Sequence, residues 1–131
     1  MHREDKGEVL WLTSPEEQDY PNASSYLSLL GAAEVVGSLV AALREAPLEY
    51  RKAKDILRAA RLELLPPDNA HVAADLKKIK EGKPLSPILM VRGALAGGIP
   101  AQVADGYHRV CASYYTDENT DIPLKMAHLP Q

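Results

Sequence analysis

The chain has 131 residues, 15 Lys and Arg against 18 Asp and Glu, a formal net charge of −3 and 46% hydrophobic residues, which predicts one ordinary globular domain. The acidic balance argues against a protein that coats phosphate backbones, and the lone Cys111 excludes an internal disulfide or a cysteine-built metal site. The opening Met1-His2-Arg3-Glu4-Asp5-Lys6 lacks an apolar signal region, and the longest apolar stretch, Leu29 to Leu43, is short and holds Glu34; a cytoplasmic protein without a membrane segment is expected.

In chain order, Val9 to Leu12 predicts a short strand. Ser14-Pro15-Glu16-Glu17 follows with an N-cap, a proline for the first helical position and a capping-box acid. Pro21-Asn22 is expected to interrupt that turn and Asn22 to cap a second helix through Tyr26, Leu27, Leu30 and Ala33. Ala32, Val35, Val36, Leu39, Val40 and Leu43 give the cleanest helical stripe, stopped by Pro47. Residues 1–47 thus read as a mostly helical extension carrying no chemistry. The Val35, Leu39 and Leu43 stripe is read as core first and as a docking face for a partner or a second copy of the chain second.

Leu48 to Lys52 predicts a strand, and Ile56, Leu57 and Ala60 a short helix. Pro66-Pro67-Asp68-Asn69 breaks that element and caps a helix with Val72, Ala73, Leu76 and Ile79 on one face, ended by Gly82. Pro87 to Val91 is too short for a helix and reads as a strand buried on both faces. After Gly97-Gly98, a strand over 101–104 turns at Asp105-Gly106 into a helix over 107–115. A polar loop, 117–121, leads to a last strand, 122–127.

The chemistry concentrates in Asp105-Gly106-Tyr107-His108-Arg109. A helix start exposes N–H groups at the positive end of its dipole, and Gly106 allows a guest close to the backbone. His108 and Arg109 are cations placed where the helix already carries positive charge, so they need an anionic partner. Two partners fit. A phosphate or carboxylate could be gripped by Arg109, His108 and the N–H groups of Tyr107 and His108. Alternatively, Asp105 or a neighbouring acid pairs with Arg109. His71, near the start of the helix after Asp68-Asn69, could face the same pocket, as could Asn69 and Asp68, although Asp68 or Asn69 reads first as a helix cap. Lys52 and Lys54 read as solvated, and the four His show no metal-ligating spacing.

At these residues the chain resembles the ParB/sulfiredoxin superfamily, in which a glycine turn followed by a helix bearing Arg holds nucleotide phosphates; Gly106-Tyr107-His108-Arg109 matches in order and spacing. The resemblance covers about residues 48–129, with the helix from Asn69, the loop Gly82 to Pro87 and the strands Ile88 to Val91 and Ile122 to Met126 in family order. It implies an α/β (α+β) fold, a small mixed sheet with flanking helices, to which 1–47 adds the helical extension within one domain.

It also implies a nucleotide-phosphate site made of Gly106, Tyr107, His108, Arg109, His71 and Asn69, with Asp105 and His108 as catalytic candidates and Mg²⁺ with ATP or CTP as cofactor. The activities it suggests are phosphotransfer or nucleotide hydrolysis, with nucleotide sensing or protein interaction as the alternative and a nuclease behind them. Sulfiredoxins carry their reactive Cys directly before the His-Arg pair, where this chain has Tyr107, so their reductase reaction is not expected. Cys111 is expected to point into the core. The helix-turn-helix that follows this fold in chromosome-partitioning ParB is not expected before the chain ends at Gln131.

Overall fold

The computed structural model describes residues 8–129. Its elements in chain order are α1 (Asp19–Leu27), α2 (Ala33–Glu45), β1 (Glu49–Lys52), α3 (Ala53–Ala60), α4 (Ala70–Lys80), β2 (Ile88–Val91), β3 (Gln102–Asp105), α5 (Tyr107–Thr116) and β4 (Asp121–Ala127). The strands form one mixed sheet in the order β1-β4-β2-β3. β4 runs antiparallel to β1 and parallel to β2, and β2 is antiparallel to β3. The expected α+β class, a small mixed sheet flanked by helices, is what the chain forms.

Side chains alternate across a strand, and here both faces are covered. Ile88, Met90, Val103, Ile122 and Leu124 point into one core with Ile56 of α3, Val72 of α4 and Val110 of α5. Leu89, Val91, Ala104 and Ala127 point into a second core with Tyr20 and Leu27 of α1 and Leu39 and Leu43 of α2. The continuous run Ile88 to Val91 is apolar because it is buried on both sides. The amino-terminal helices are therefore the second layer of the domain, and the Leu39 and Leu43 stripe is core.

Three local expectations do not match the structure. Ser14 caps no helix: α1 begins at Asp19 with Gln18 at its N-cap position, and the Glu16 N–H that Ser14 was placed to cap donates instead to Ser86 Oγ. Val9 to Leu12 forms no strand: Trp11 makes a single bridge to Leu85, held by Leu12 N–H to Leu85 O (2.8 Å) and Leu85 N–H to Leu10 O (2.8 Å). Pro84 and Pro87 on the partner side and Pro15 on its own side lack the N–H a longer ladder needs. Pro21 and Asn22 do not interrupt a helix but lie inside α1, where Pro21 is the third residue. An N–H in the first turn has no intrahelical acceptor, so proline is tolerated there. The break falls instead at residues 28–32, which leaves Leu29 and Leu30 exposed.

Leu43 is fully buried at 0% exposure and fixes α2 onto the sheet. Leu43→Ala is expected to lower unfolding free energy in urea by about 2–5 kcal/mol; a loss under about 0.5 kcal/mol would mean that the amino-terminal layer does not contribute to the cooperative core.

Candidate functional site

The turn from β3 into α5 is built around Gly106, whose φ of 116° lies in the region that side chains rarely adopt. A Cβ there would stand 2.4 Å from Ile88 Cδ1 and 3.0 Å from the Arg109 guanidinium. Glycine is thus required by the molecule's own packing. Gly106 offers no side chain to cap α5, and the first-turn N–H groups of Tyr107 and His108 project along the helix axis.

Arg109 folds back over this glycine. Its Nη2 donates to Asp105 Oδ2 at 2.9 Å and to the Pro87 carbonyl at 3.4 Å, and stands 3.7 Å from Asp19 Oδ2 of α1. The Ser86 hydroxyl donates to the same Asp19 oxygen, and Ser86 Oγ also accepts from the Glu16 N–H at 3.1 Å. Of the two partners considered for Arg109, the acid at its own turn is the one observed, joined by an acid from the amino-terminal layer. The guanidinium is not fully satisfied: its Nε is buried with no hydrogen-bond partner.

Of the two carboxylates that face this guanidinium, Asp105 has a shifted titration. Burial pushes Asp105 above the ordinary carboxylate value, Arg109 pulls it down, and the adjacent Asp19 pushes it up again. Asp105 thus behaves first as a partner for Arg109, and its candidacy as a catalytic base has to contend with that ion pair.

The histidines behave differently. His71 and His108 are each the second residue of their helices, α4 and α5, which pack together. Their rings lie 4.7 Å apart, centroid to centroid, and the Tyr107 ring stacks with His108 at 5.7 Å. Half-buried Asp75, one turn along α4 from His71, feels Arg109, Lys78, His108 and His71, but burial outweighs them and raises its pKa. His108 is held below the ordinary imidazole value by burial first, then by His71 and Arg109, with Asp75 opposing.

The remaining sequence candidates fall as follows. The Asn69 side chain accepts from the His71 and Val72 N–H groups (3.0 and 3.2 Å), so it caps α4 and its carbonyl oxygen is engaged there. The Tyr107 hydroxyl donates to Glu63 O at 2.6 Å, leaving its backbone N–H as what it can offer a guest. Cys111 is buried, and burial raises its thiol. Asp19 and Asp75 were not among the residues singled out from sequence. Asp19 stands in a segment read as chemically silent, and its neighbours here lie 67 and 90 positions away in the chain.

No family model, no curated protein and no solved structure matches the chain. Among the described residues, no helix is long and apolar enough to cross a membrane.

Gly106→Ala is expected to lower unfolding free energy by about 2–4 kcal/mol, from the unfavourable φ and the crowding of Ile88; a neutral result in urea unfolding would contradict the packing role. His108 makes a second prediction. Its folded pKa lies below the ordinary 6.5, so between the two values the unfolded chain binds more protons. Stability therefore rises with pH through that window and falls as pH drops below about 6.5. Asp75 and Asp105, raised above 3.8, give the opposite slope in the acid range above that value. Urea unfolding of His108→Gln against the parent across pH 4–8 isolates the imidazole: the variant should lose the rise, and parallel curves would refute it.

Proposed function

We propose that the chain is a ParB-like domain that binds nucleotide phosphates, as in ATP or CTP, at the start of α5, and that it works as a binding module in the cytoplasm. The observation that carries this reading is the meeting of His71 and His108, 4.7 Å apart on two helices that begin side by side. Each imidazole stands at the positive end of a helix dipole, where an anion is favoured. A phosphate placed against both rings would accept charge-assisted hydrogen bonds from them and from the first-turn N–H groups of α5. Arg109 contributes positive potential from below rather than a direct grip, since Asp105 and Asp19 face its fork. The order Gly106-Tyr107-His108-Arg109 supports the ParB kinship.

Binding is favoured over turnover by the position of Asp105. A general base must be free to take a proton, and this carboxylate is engaged with Arg109 at 2.9 Å. Mg²⁺ takes oxygen ligands, with carboxylates supplementing substrate phosphates. Among the described residues, no group of three or more His, Cys, Asp or Glu is arranged around a metal position; Asp105 and Asp19 are turned to Arg109 and Ser86, while Asp75 is the carboxylate beside His71 and His108. Any Mg²⁺ would thus arrive with the ATP or CTP, held chiefly by the phosphate oxygens.

The test pairs thermal or urea unfolding with a phosphate-release assay, using each ribonucleoside triphosphate with and without Mg²⁺. A triphosphate at a hundred times its Kd should add about 2.7 kcal/mol. The shift should vanish in His71→Ala/His108→Ala, and affinity should fall from pH 6 to pH 8 as His108 loses its proton. Released phosphate that requires Asp105 would replace the module by a hydrolase or kinase. No stabilisation by any nucleotide would reject the site.

A further inference from the structure

A cleft of about 530 Å³ opens between α3, the sheet and the loop that joins β2 to β3. It shares no lining residue with the histidine site, and its volume falls within the ~300–1,000 Å³ range of small-molecule sites. The floor is apolar: Ile56 and Met90 are each 2% exposed, and Met126 is half-buried beside them. The rim carries four guanidinium groups, Arg51, Arg58, Arg61 and Arg92, against one lining carboxylate, Asp55. In a chain of net charge −3, this is a local concentration of positive charge over an apolar base.

The arginines retain donor capacity. Arg58 meets Asp55 only at 3.6 Å and leaves 81% of its side chain exposed. The Arg92 Nε donates to His128 Nδ1 at 3.0 Å, and the Arg61 Nη2 donates to Gly98 O at 2.8 Å. Arg51 pairs with Glu49 at 2.6 Å. A guanidinium carries five N–H donors, so these contacts leave further N–H groups for a guest. The loop wall is also fixed. A Cβ at Gly93 would stand 2.4 Å from Ile99 O, and Arg61, in the left-handed region at φ 55°, ties Gly98 to the end of α3.

We propose that this cleft is a second ligand site, for a small organic anion with an aliphatic body and a carboxylate or phosphate monoester head. The guanidinium fork matches both heads, and flexible methionine suits an aliphatic chain. Among the described lining residues none carries an aromatic ring to stack a nucleobase, which separates this ligand class from the nucleotide proposed at α5. The site does not depend on that proposal.

The experiment titrates the full chain with octanoate and octyl phosphate, with octanol and inorganic phosphate as controls, following the methyl signals of Met90 and Met126 by NMR. Saturable shifts are expected with at least one amphiphilic anion, the stronger binder identifying the head group, and binding of both controls should be weaker by roughly tenfold or more. Arg58→Ala/Arg92→Ala should weaken the anion by a similar factor. Ala59→Trp keeps every charge but fills the cleft, and should abolish the shifts. Equal binding of octanol would reduce the site to apolar partition, and equal binding of inorganic phosphate to surface charge. Either result, or shifts that never saturate, overturns the proposal. The four ligands on the parent protein decide the matter even if a variant fails to fold.

Discussion

The guanidinium of Arg109, whose side chain is only 18% exposed, joins three stretches of chain: Asp105 at the end of β3, the Pro87 carbonyl before β2, and Asp19 at the start of α1. A charge so far removed from water is tolerated only with partners, and the surrounding residues make room for them. Gly106 leaves the space in which the guanidinium lies. Ser86 orients Asp19 and receives the Glu16 N–H, so the segment leading into α1 is placed by the same cluster. The amino-terminal helices thus join the sheet through apolar packing over Leu89, Val91 and Ala104 and through this ion cluster at one edge.

That arrangement divides the Asp-Gly-Tyr-His-Arg motif. Asp105, Gly106 and Arg109 form an internal assembly, with the Tyr107 hydroxyl strapping the segment before α4. His108 faces the other way, toward His71 and Asp75. The outward half is the part proposed for recognition, and burial favours the neutral form of its His108. The arginine cleft follows a different principle: permanent charges at the rim of an apolar floor, with recognition insensitive to protonation near neutrality.

Much of the architecture was legible because it rests on local signals. Pro66 to Asn69 breaks one element and caps the next, and Asn69 does accept the first N–H groups of α4. The Leu39 and Leu43 periodicity and the apolar run at Ile88 to Val91 read correctly because burial imposes those patterns. Trp11 misled because strand propensity says nothing of whether the partner strand has N–H groups to give. Pro21 misled because its effect depends on the position within a helix. The site was half legible. Arg109 was found from its position, and its competing local partner Asp105 from spacing. Asp19 was invisible because its role exists only when α1 is laid against β3, and the four arginines of the cleft are scattered over β1, α3 and the residues just after α3 and β2, with no shared period.

The account rests on Asp19 and Arg109 acting together across the two layers. A double-mutant cycle in urea, with Asp19→Ala, Arg109→Ala and the double variant, measures that coupling directly. A favourable interaction free energy of about 0.5–3 kcal/mol is predicted. Losses that add to within about 0.3 kcal/mol would show that the two residues are stable independently, and would contradict the claim that this guanidinium ties the helical layer to the β3–α5 turn.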